Sequence, residues 1–480
     1  MYKTEPAVQL TFEGFNQSCG MKLNPRDEWV VIAGRMDWKE VETQYMRRFP
    51  SKRGRPAVNA RQALGALIIQ RRMGLSDREL VKEIARNPYY QFFIGLESYQ
   101  KTCPFKHGVL PDLRQRFGQE FLMEVNERVL EKLPPTPEHS PKAASKSADG
   151  ENAGTMMLDA TCSPSNIHFP QDFSLLNEAR EKLDTMIDKL HAQTREARRP
   201  RTYRRVLRKK FLAMAKAKKR PAKKMRGLVY VLLCAVRRNL GFVDRYLASG
   251  LFLEDKREMA LLATIRELFR QQKEMFDAGK RRVANRIVSI SQPFVRPVVR
   301  GKAKAPVEFG VKYDVSVDEK GHARLEKASF DPYNECTVLQ DVLERYRKRT
   351  GHYPRRVLVD KVYRTRANRE YCEARGVEMS GRAPGRPSAD PKQRRLAEKE
   401  ERRNDVDRIE VERFFSRDKR TCGAGLVVAK LSVTALGSIA LSVLVANLFG
   451  IPPSFFVLYF ADGSVGGPSI HFVEIPDDAA

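Results

Sequence analysis

Two aspartates, Asp159 and Asp360, have the sequence surroundings expected of a chemical site. Each follows a short apolar run, Met-Met-Leu before the first and Val-Leu-Val before the second, and such runs are typical of buried central strands. Ligand sites in open α/β sheets lie at the carboxyl ends of strands, and a carboxylate buried there is costly unless it is paired or binds a metal ion. Taken singly, either aspartate could instead cap a loop or pair with a basic side chain.

A third acid, Glu412, lies on a predicted helix between two cations. Arg408, Glu412 and Lys419 are spaced four and seven residues apart, and at about 100° per residue they fall within roughly 40° of one another on one face. Glu410 falls on the opposite side. Two cations flanking a carboxylate suit a site that binds a phosphate backbone beside a metal ion. The competing interpretation is a surface ion pair between Arg408 and Glu412, which is common on helices.

Two aspartates on strands and a glutamate on a later helix would form an all-oxygen ligand set. Such a set prefers Mg²⁺, with Mn²⁺ as a substitute, over Zn²⁺. Two of these ions about 3.5–4 Å apart can activate a water molecule or a 3′-hydroxyl and stabilise the leaving oxygen of a phosphodiester. The dispersed histidines and cysteines indicate no zinc or thiol chemistry. The phosphate-binding loop motif is absent, so no nucleotide is expected.

The segments that must position these acids alternate between strand and helix patterns. Apolar runs and a Glu-Lys-Gly turn predict strands at 155–162, 307–317, 322–330, 356–360 and 377–380. Amphipathic patterns predict helices at 336–349, 365–375 and 405–422. This order indicates an α/β fold with a mixed sheet.

The N-terminal part is predicted to be mostly helical. Helices at 61–73 and 77–86 flank a Gly-Leu break, and Ser76 precedes Glu79 by three residues, as in a capping box. Helix, tight turn and helix is the geometry of helix-turn-helix DNA readers, and a basic stretch at 47–55 suits phosphate contacts. A structural helical hairpin would explain the same pattern.

The charge balance points to a polyanionic partner. Lys and Arg number 88 against 59 Asp and Glu, a formal net charge of +29, in a chain whose 42% hydrophobic content is that of a globular protein. Nucleic acid is the first candidate partner and an anionic membrane the second. Seven scattered cysteines argue against a secreted disulfide framework. The apolar segment 431–449 contains Ser, Thr and Asn, which favours a buried helix over a membrane span, so a cytoplasmic protein is expected.

Composition also divides the chain. A segment rich in Pro, Ser, Ala and charge, at 133–154, predicts a flexible linker between a unit at 1–132 and a unit at 155–480. Within the second unit, residues 195–226 contain sixteen Lys or Arg and one acid, Glu196. That concentration of cations is either a surface for phosphates or a solvated basic face.

Four segments follow one another along the chain: MMLDATCSPSNIHFPQDFSLLNEAR, VEFGVKYDVSVDEKGHARLEKASFDPYNE, GHYPRRVLVDKVYRTRANREYC and IEVERFFSRDKR. The first contains Asp159, the third Asp360 and the fourth Glu412. Together they resemble the DDE transposases of bacterial insertion sequences, of the insertion-sequence-five type, which is related to the insertion-sequence-four type. The earlier stretch GRPAVNARQALGALIIQRRMGLSDRELVKEIARNPYYQFFIGL is similar to the helical domain that precedes catalysis in that group. In the relatives' Tyr-Arg-Glu-Lys pattern, Arg408, Glu412 and Lys419 match, and Asp405 stands at the tyrosine position.

The resemblance implies a ribonuclease-H-like catalytic domain in which Asp159, Asp360 and Glu412 are the catalytic acids and hold Mg²⁺, or Mn²⁺ in its place. It also implies that the helical unit at 1–132 binds DNA ends, and that Arg408 and Lys419 contact DNA. The expected partners are double-stranded DNA, as element ends and as target, and a second copy of the chain, because a homodimer suits a reaction on two ends. No membrane or nucleotide partner is expected, and the bacterial protein would associate with the nucleoid when bound to DNA.

The spacing of the motifs predicts a large insertion between the first two strands. The strand at 307 lies far downstream of the strand that carries Asp159, so residues 174–299 are expected to be an inserted, helical and very basic region, with helices at 174–191 and 256–276. We expect this insert to lie along DNA and to grip phosphates through Lys209, Lys210, Lys218 and Lys219.

Three functions fit these observations. The first is a transposase that cleaves DNA at element ends and joins the cut ends to a target. The second is a ribonuclease-H-type nuclease without strand transfer, and the third is a non-catalytic DNA-binding protein. Alanine at the three acids should abolish metal-dependent activity in the first two cases and change only stability in the third.

Overall fold

The computed structural model describes residues 22–48, 56–133, 152–299, 307–381 and 390–450. Most of the basic stretch at 47–55 and nearly all of the predicted linker at 133–154 lie outside these ranges.

The N-terminal part is helical, as predicted. Its helices are α1 (Glu28–Arg35), α2 (Trp38–Met46), α3 (Ala60–Met73), α4 (Asp77–Arg86), α5 (Pro88–Phe93), α6 (Leu110–Arg116) and α7 (Gln119–Lys132). Helix α3 ends at Gly74, which adopts a left-handed conformation with φ of 65° that glycine tolerates best. Helix α4 then begins with the predicted capping box, since the Ser76 and Glu79 side chains each accept a hydrogen bond from the other residue's backbone N–H. The helix pair and its turn are therefore confirmed.

The described strands form one mixed sheet. They are β1 (Thr155–Pro164), β2 (Pro297–Val299), β3 (Val307–Asp318), β4 (Ala323–Ser329), β5 (Arg356–Val359) and β6 (Glu378–Met379). The order is β2-β3-β1-β5-β6, with β4 also paired to β3. Strand β1 is antiparallel to β3 and parallel to β5, which is parallel to β6. The predicted hairpin is the β3–β4 pair, and the α/β class with a mixed sheet is confirmed.

The remaining helices are α8 (Asp172–His191), α9 (Arg204–Ala215), α10 (Ala222–Ala248), α11 (Lys256–Ala278), α12 (Leu339–Thr350), α13 (Arg366–Glu373), α14 (Pro391–Thr421) and α15 (Ser432–Leu448). The predicted start of α14, at 405, is wrong by fourteen residues. The helix begins after Asp390, whose side chain accepts a hydrogen bond from the Lys392 N–H, with Pro391 at its first position. Residues 391–404 are mostly charged and carry few apolar residues, so hydrophobic periodicity could not reveal this half.

Helix α15 is the predicted buried core helix. Its polar side chains find partners inside the protein: Ser442 donates to the Ile439 carbonyl at 2.8 Å, and Asn447 donates to the Ala323 carbonyl at 2.8 Å and to Asn126 Oδ1 at 2.7 Å. These contacts satisfy polar groups that burial would otherwise penalise. Within the described ranges, none of the helices combines the length and apolar character needed to cross a membrane.

The two faces of the sheet have different cores. One face, with Met157 and Leu358, packs in a continuous cluster with α15, the N-terminal helices and Phe414 of α14, while the other face packs against α12 and α13. The N-terminal helices and the sheet thus share one core. The domain boundaries at 132 and 155 stay predictions.

The region between β1 and β2 is helical, as predicted, and has its own core. The helices predicted at 174–191 and 256–276 are α8 and α11, with nearly the expected bounds. The apolar sides of α8, α10 and α11 form a separate hydrophobic cluster that includes Leu183, Leu232 and Ile265. Because the apolar side chains of these helices pack against one another, the charged side chains on the outer surface of the insert face solvent or a partner.

Candidate active site

Strand pairing brings Asp159 and Asp360 together. In the parallel pair of β1 and β5, Leu158 lies opposite Val359, so the two aspartates occupy the next, neighbouring positions. Asp159 shares a sheet face with Met157, two residues earlier, and that face is the one against which α14 packs. The Asp159 carboxylate accepts a hydrogen bond from the Ala160 N–H at 2.8 Å, and the Asp360 carboxylate accepts one from the Lys361 N–H at 2.7 Å.

The surroundings of Asp159 disfavour its charged form. The pKa of Asp159 is raised to about 6: burial is the largest cause and the nearby carboxylates of Asp360 and Glu335 add to it, while the Ala160 N–H and the Arg408 guanidinium act in the opposite direction. A carboxylate that is mostly buried next to another carboxylate is stabilised by a bound cation. The pair is therefore arranged as a cation site would be.

Helix α14 presents its predicted face to strand β1. The Arg408 guanidinium lies 3.8 Å from Asp159 Oδ2 and 3.2 Å from Glu412 Oε1. Further along the helix, Lys419 Nζ donates a hydrogen bond of 2.7 Å to the Thr161 hydroxyl on the same strand. The surface ion pair considered for Arg408 and Glu412 does form, but Arg408 also reaches Asp159, so this face of α14 borders the site.

Glu412 itself does not touch the aspartates. Its side chain is 55% exposed and is paired with Arg408. Among the residues that the structure describes, no group of three or more His, Cys, Asp or Glu side chains is close enough to hold a metal ion. The geometry brings two acids together and leaves the third at the edge of the site, so the set of three acidic ligands stays a prediction.

A buried acid that sequence reasoning missed, Asp314, lies behind the site. It is opposite Ala160 on β3 and has no exposed surface, so it projects from the opposite side of the sheet to Asp159. Its carboxylate accepts hydrogen bonds from the hydroxyls of Tyr363, at 2.7 Å, and of Tyr333, and burial raises its pKa to about 6. Tyr363 ends the short turn that Asp360 begins, so this contact holds the loop that carries Asp360. The signal in the sequence was an acid inside the apolar run of β3.

Arg356 is a second residue that sequence reasoning missed. It links α14 to the sheet. From the first position of β5 it donates to Asn404 Oδ1 at 2.9 Å and to Asp407 Oδ2 at 2.5 Å, both on α14, and to the Thr155 hydroxyl at 2.8 Å. Asp407 lies less than two turns before Glu412. The contact with Arg356 fixes the approach of the helix to the two aspartates.

Two basic surfaces lie away from the acids. On α4, the side chains of Arg78, Lys82 and Arg86 are exposed at intervals of four residues, which aligns them along one side of the helix. In the insert, the four lysines named from sequence are exposed, two on α9 and two in the turn before α10. In the part of the chain that the structure describes, no acidic side chain pairs with any of these four lysines. Both surfaces are open to a polyanion.

Comparison with known families places two parts of the chain. Residues 17–116 match a family described as a transposase domain (DUF772), and residues 357–449 match a family described as a transposase DDE domain. The second match contains Asp360 and the whole Arg408, Glu412 and Lys419 face. Together the two matches indicate a DDE transposase of insertion sequences.

A relative from Rhizobium meliloti, the uncharacterized protein ORF8 in the nfe locus, is 29% identical to this transposase over 161 residues. That alignment covers 34% of the transposase and 73% of the relative. No solved structure matches the chain significantly. Helices α3 and α4 fall within the first matched region of the transposase, whereas Asp159 and the basic insert fall between the two regions.

Proposed function

We propose that this transposase binds the ends of its insertion sequence and catalyses metal-dependent DNA cleavage and strand transfer on a ribonuclease-H-like sheet. The observation that carries the proposal is the neighbouring position of Asp159 and Asp360 beneath the Arg408 face of α14. The sheet supports it too, because β1 and β5 are parallel neighbours, so that Asp159, in the middle of β1, lies beside Asp360, which directly follows β5.

The side chains at the site fit a hard divalent cation. Asp159 and Asp360 would hold Mg²⁺, or Mn²⁺ in its place, because both offer carboxylate oxygens and because the Asp360 carboxylate disfavours the charged form of the mostly buried Asp159. Glu412 would complete the set once its ion pair with Arg408 is exchanged. When bound, the metal would supply an activated water or 3′-hydroxyl and stabilise the leaving oxygen of the phosphodiester.

The basic side chains of α14 would bind DNA phosphates next to the acids. Among the described residues, Arg408 forms ion pairs with Asp159 and Glu412, whose carboxylates a metal ion would engage, so its guanidinium would then be available for a phosphate oxygen. Lys419 lies along the same face, anchored to Thr161. These two side chains would hold the strand that is cut.

The two basic surfaces would hold the flanking duplex. The α4 side with Arg78, Lys82 and Arg86 would contact the element end, and the insert lysines would lie along phosphates. Reversing the charges of Lys209, Lys210, Lys218 and Lys219 should lower affinity and reduce the slope of log affinity against log salt by about 4, because each phosphate contact contributes about 0.9. The control is reversal of Lys189, also in the insert but already paired with Glu258. An unchanged slope in the fourfold variant would exclude the insert from DNA binding.

Strand cleavage and joining test the whole proposal. Wild type, Glu412→Gln and Glu410→Gln would be compared on DNA carrying the flanking element ends, with Mg²⁺ or Mn²⁺. Glu410 is a matched control, because it lies on the same helix and pairs with Arg413, away from the site. Metal-dependent joining that only Glu412→Gln loses is the expected result.

The other outcomes separate the competing functions. Cleavage without joining would make the protein a ribonuclease-H-type nuclease, and tight binding without cleavage in wild type would make it a DNA-binding protein. We further propose that the active species is a homodimer on DNA in the bacterial nucleoid. Light scattering of the protein–DNA complex should give two protein chains for each pair of ends.

A further inference from the structure

The chain from α12 to the end of α13 carries an excess of basic side chains. Residues 339–376 contain eleven Lys or Arg and five Asp or Glu. Arg347, Lys348 and Arg355 belong to this group, are exposed, and define what we call the α12–α13 surface. Within the described ranges, no acidic side chain pairs with Lys348 or Arg355. Helices α12 and α13 cover the sheet face opposite to that of α14, so this surface is separate from the cations of α14.

Two arginines and two tyrosines stack alternately beside this surface. The Arg347 guanidinium lies 5.1 Å from the centre of the Tyr353 ring, and the Arg375 guanidinium lies 5.8 Å from the same ring and 3.6 Å from the Tyr371 ring. Both arginines donate hydrogen bonds to the Tyr353 hydroxyl, at 3.3 and 3.0 Å, and both tyrosine hydroxyls donate to Glu344. Glu344 also pairs with Arg375 at 3.5 Å. Because the stack orients Arg347 in advance, a partner pays less entropy to bind it.

The chemistry of the α12–α13 surface fits the backbone of a nucleic acid. Guanidinium groups bind phosphate oxygens with two parallel hydrogen bonds, and ammonium groups bind them as point charges. The three cations lie in the last turn of α12 and in the loop before β5, an extended arrangement that suits a row of phosphates better than one small anion. Because the proposed reaction joins DNA to DNA, a DNA duplex is the polyanion expected here.

The chain leads from this surface directly to the acids. Lys361 follows Asp360 and is exposed, and Arg366, the first residue of α13, has a side chain that is 93% exposed. Helix α13 has eight residues, a length of about 12 Å, and Arg375 follows two residues after its end. Each strand of a duplex carries a phosphate about every 3.4 Å. DNA that reaches the acids at one end of α13 therefore has further phosphates for the cations at the other end.

We propose that the α12–α13 surface binds the target duplex, the DNA to which cut ends are joined. This inference rests on the proposed function, because only an enzyme that transfers strands has to hold a second duplex. The element end is assigned to α4 and the insert, and the cut strand to α14, so the target still lacks a surface. The alternative is that the stack only ties α12 to α13, which predicts an effect on stability and none on DNA binding.

The test measures the binding of a second duplex to the full chain. The protein would first be saturated with element-end DNA, and a labelled duplex without the end sequence would then be titrated by fluorescence anisotropy at several salt concentrations. One variant neutralises the surface and combines Arg347→Gln, Lys348→Gln and Arg355→Gln. Its matched control neutralises three exposed cations of α11 that are already paired with acids, and combines Arg266→Gln, Arg270→Gln and Lys273→Gln. Tyr353→Leu keeps every charge and removes the ring between the two arginines.

We expect the surface variant to bind the second duplex more weakly, with a slope of log affinity against log salt that is smaller by about 3, because each phosphate contact contributes about 0.9. Its affinity for element-end DNA and its single-turnover cleavage should equal those of wild type, whereas joining should fall. The α11 control should change neither slope nor affinity. Tyr353→Leu should lower the affinity for the second duplex by about threefold or more, since the arginines then have to be ordered on binding.

Several results would overturn this assignment. One is a second duplex that wild type does not bind, or that the surface variant binds with unchanged affinity and slope. Another is an equal loss of affinity for element-end DNA, which would give the surface to the element end. A lower thermal midpoint in Tyr353→Leu with unchanged affinity would make the stack structural only. A wild type that binds the second duplex through these cations but neither cleaves nor joins DNA would refute the proposed function and leave the binding surface standing.

Discussion

Replacing Asp159 by asparagine should stabilise the metal-free transposase while removing its proposed activity. Burial raises the pKa of Asp159 from 3.8 to about 6, a shift of about two units, and each unit corresponds to about 1.36 kcal/mol. The folded state holds the proton more tightly than the unfolded state. The loss of folding stability caused by ionising the buried Asp159 carboxyl is therefore absent well below pH 4, grows between pH 4 and 6, and reaches about 3 kcal/mol above pH 7. Asparagine resembles the protonated acid and should escape this penalty.

Urea unfolding in the presence of a chelator measures the effect. Asp159→Asn should exceed wild type in unfolding free energy by about 3 kcal/mol at pH 7.5 and by about half as much at pH 5. Asp331→Asn is the control, because its side chain is 78% exposed, and it should change little at either pH. Adding Mg²⁺ should then stabilise wild type and not Asp159→Asn. A variant no more stable than wild type at pH 7.5, or a difference independent of pH, would refute the reasoning.

Two further substitutions probe the frame around the site. Tyr363→Phe removes the hydrogen bond to buried Asp314 and should lower the free energy of unfolding by about 1–3 kcal/mol, measured by urea unfolding. It should also remove most of the cleavage rate in single-turnover kinetics. A cleavage rate equal to that of wild type would show that the loop after Asp360 does not need this hydrogen bond. Gly310→Ala places a Cβ about 2.0 Å from the Ser163 carbonyl oxygen on β1, so the β1–β3 pair must shift. Thermal unfolding should show a decrease of about 2 kcal/mol or more in the free energy of unfolding. An unchanged unfolding midpoint would contradict the close approach of these strands.

Local sequence signals predicted the elements that carry the acids. The apolar runs before Asp159 and Asp360 are strands β1 and β5, and the capping box at Ser76 starts α4 where expected. These predictions succeeded because strand burial and helix capping depend on residues within a few positions of each other. The shared face of Arg408 and Lys419 also followed from helix geometry alone, since both residues now contact β1.

Features between distant segments were not predictable in this way. The first half of α14 was not predicted, because its charged residues leave no apolar stripe. The role of Asp314 was not predicted, because its two tyrosine partners come from separate loops. Its burial behind the site depends on the β1–β3 register. A single sequence does not state which strands are neighbours.

The sequence by itself determined the helix pair, the strands at Asp159 and before Asp360, the helical face with Glu412 and the basic charge of the insert. Each of these is a property of local spacing and composition. Only the tertiary structure decided that Asp159 and Asp360 are neighbours and that Arg408 stands between Asp159 and Glu412. Those relations come from strand order and from the packing of α14 and α15 against one sheet face, and they join residues up to hundreds of positions apart.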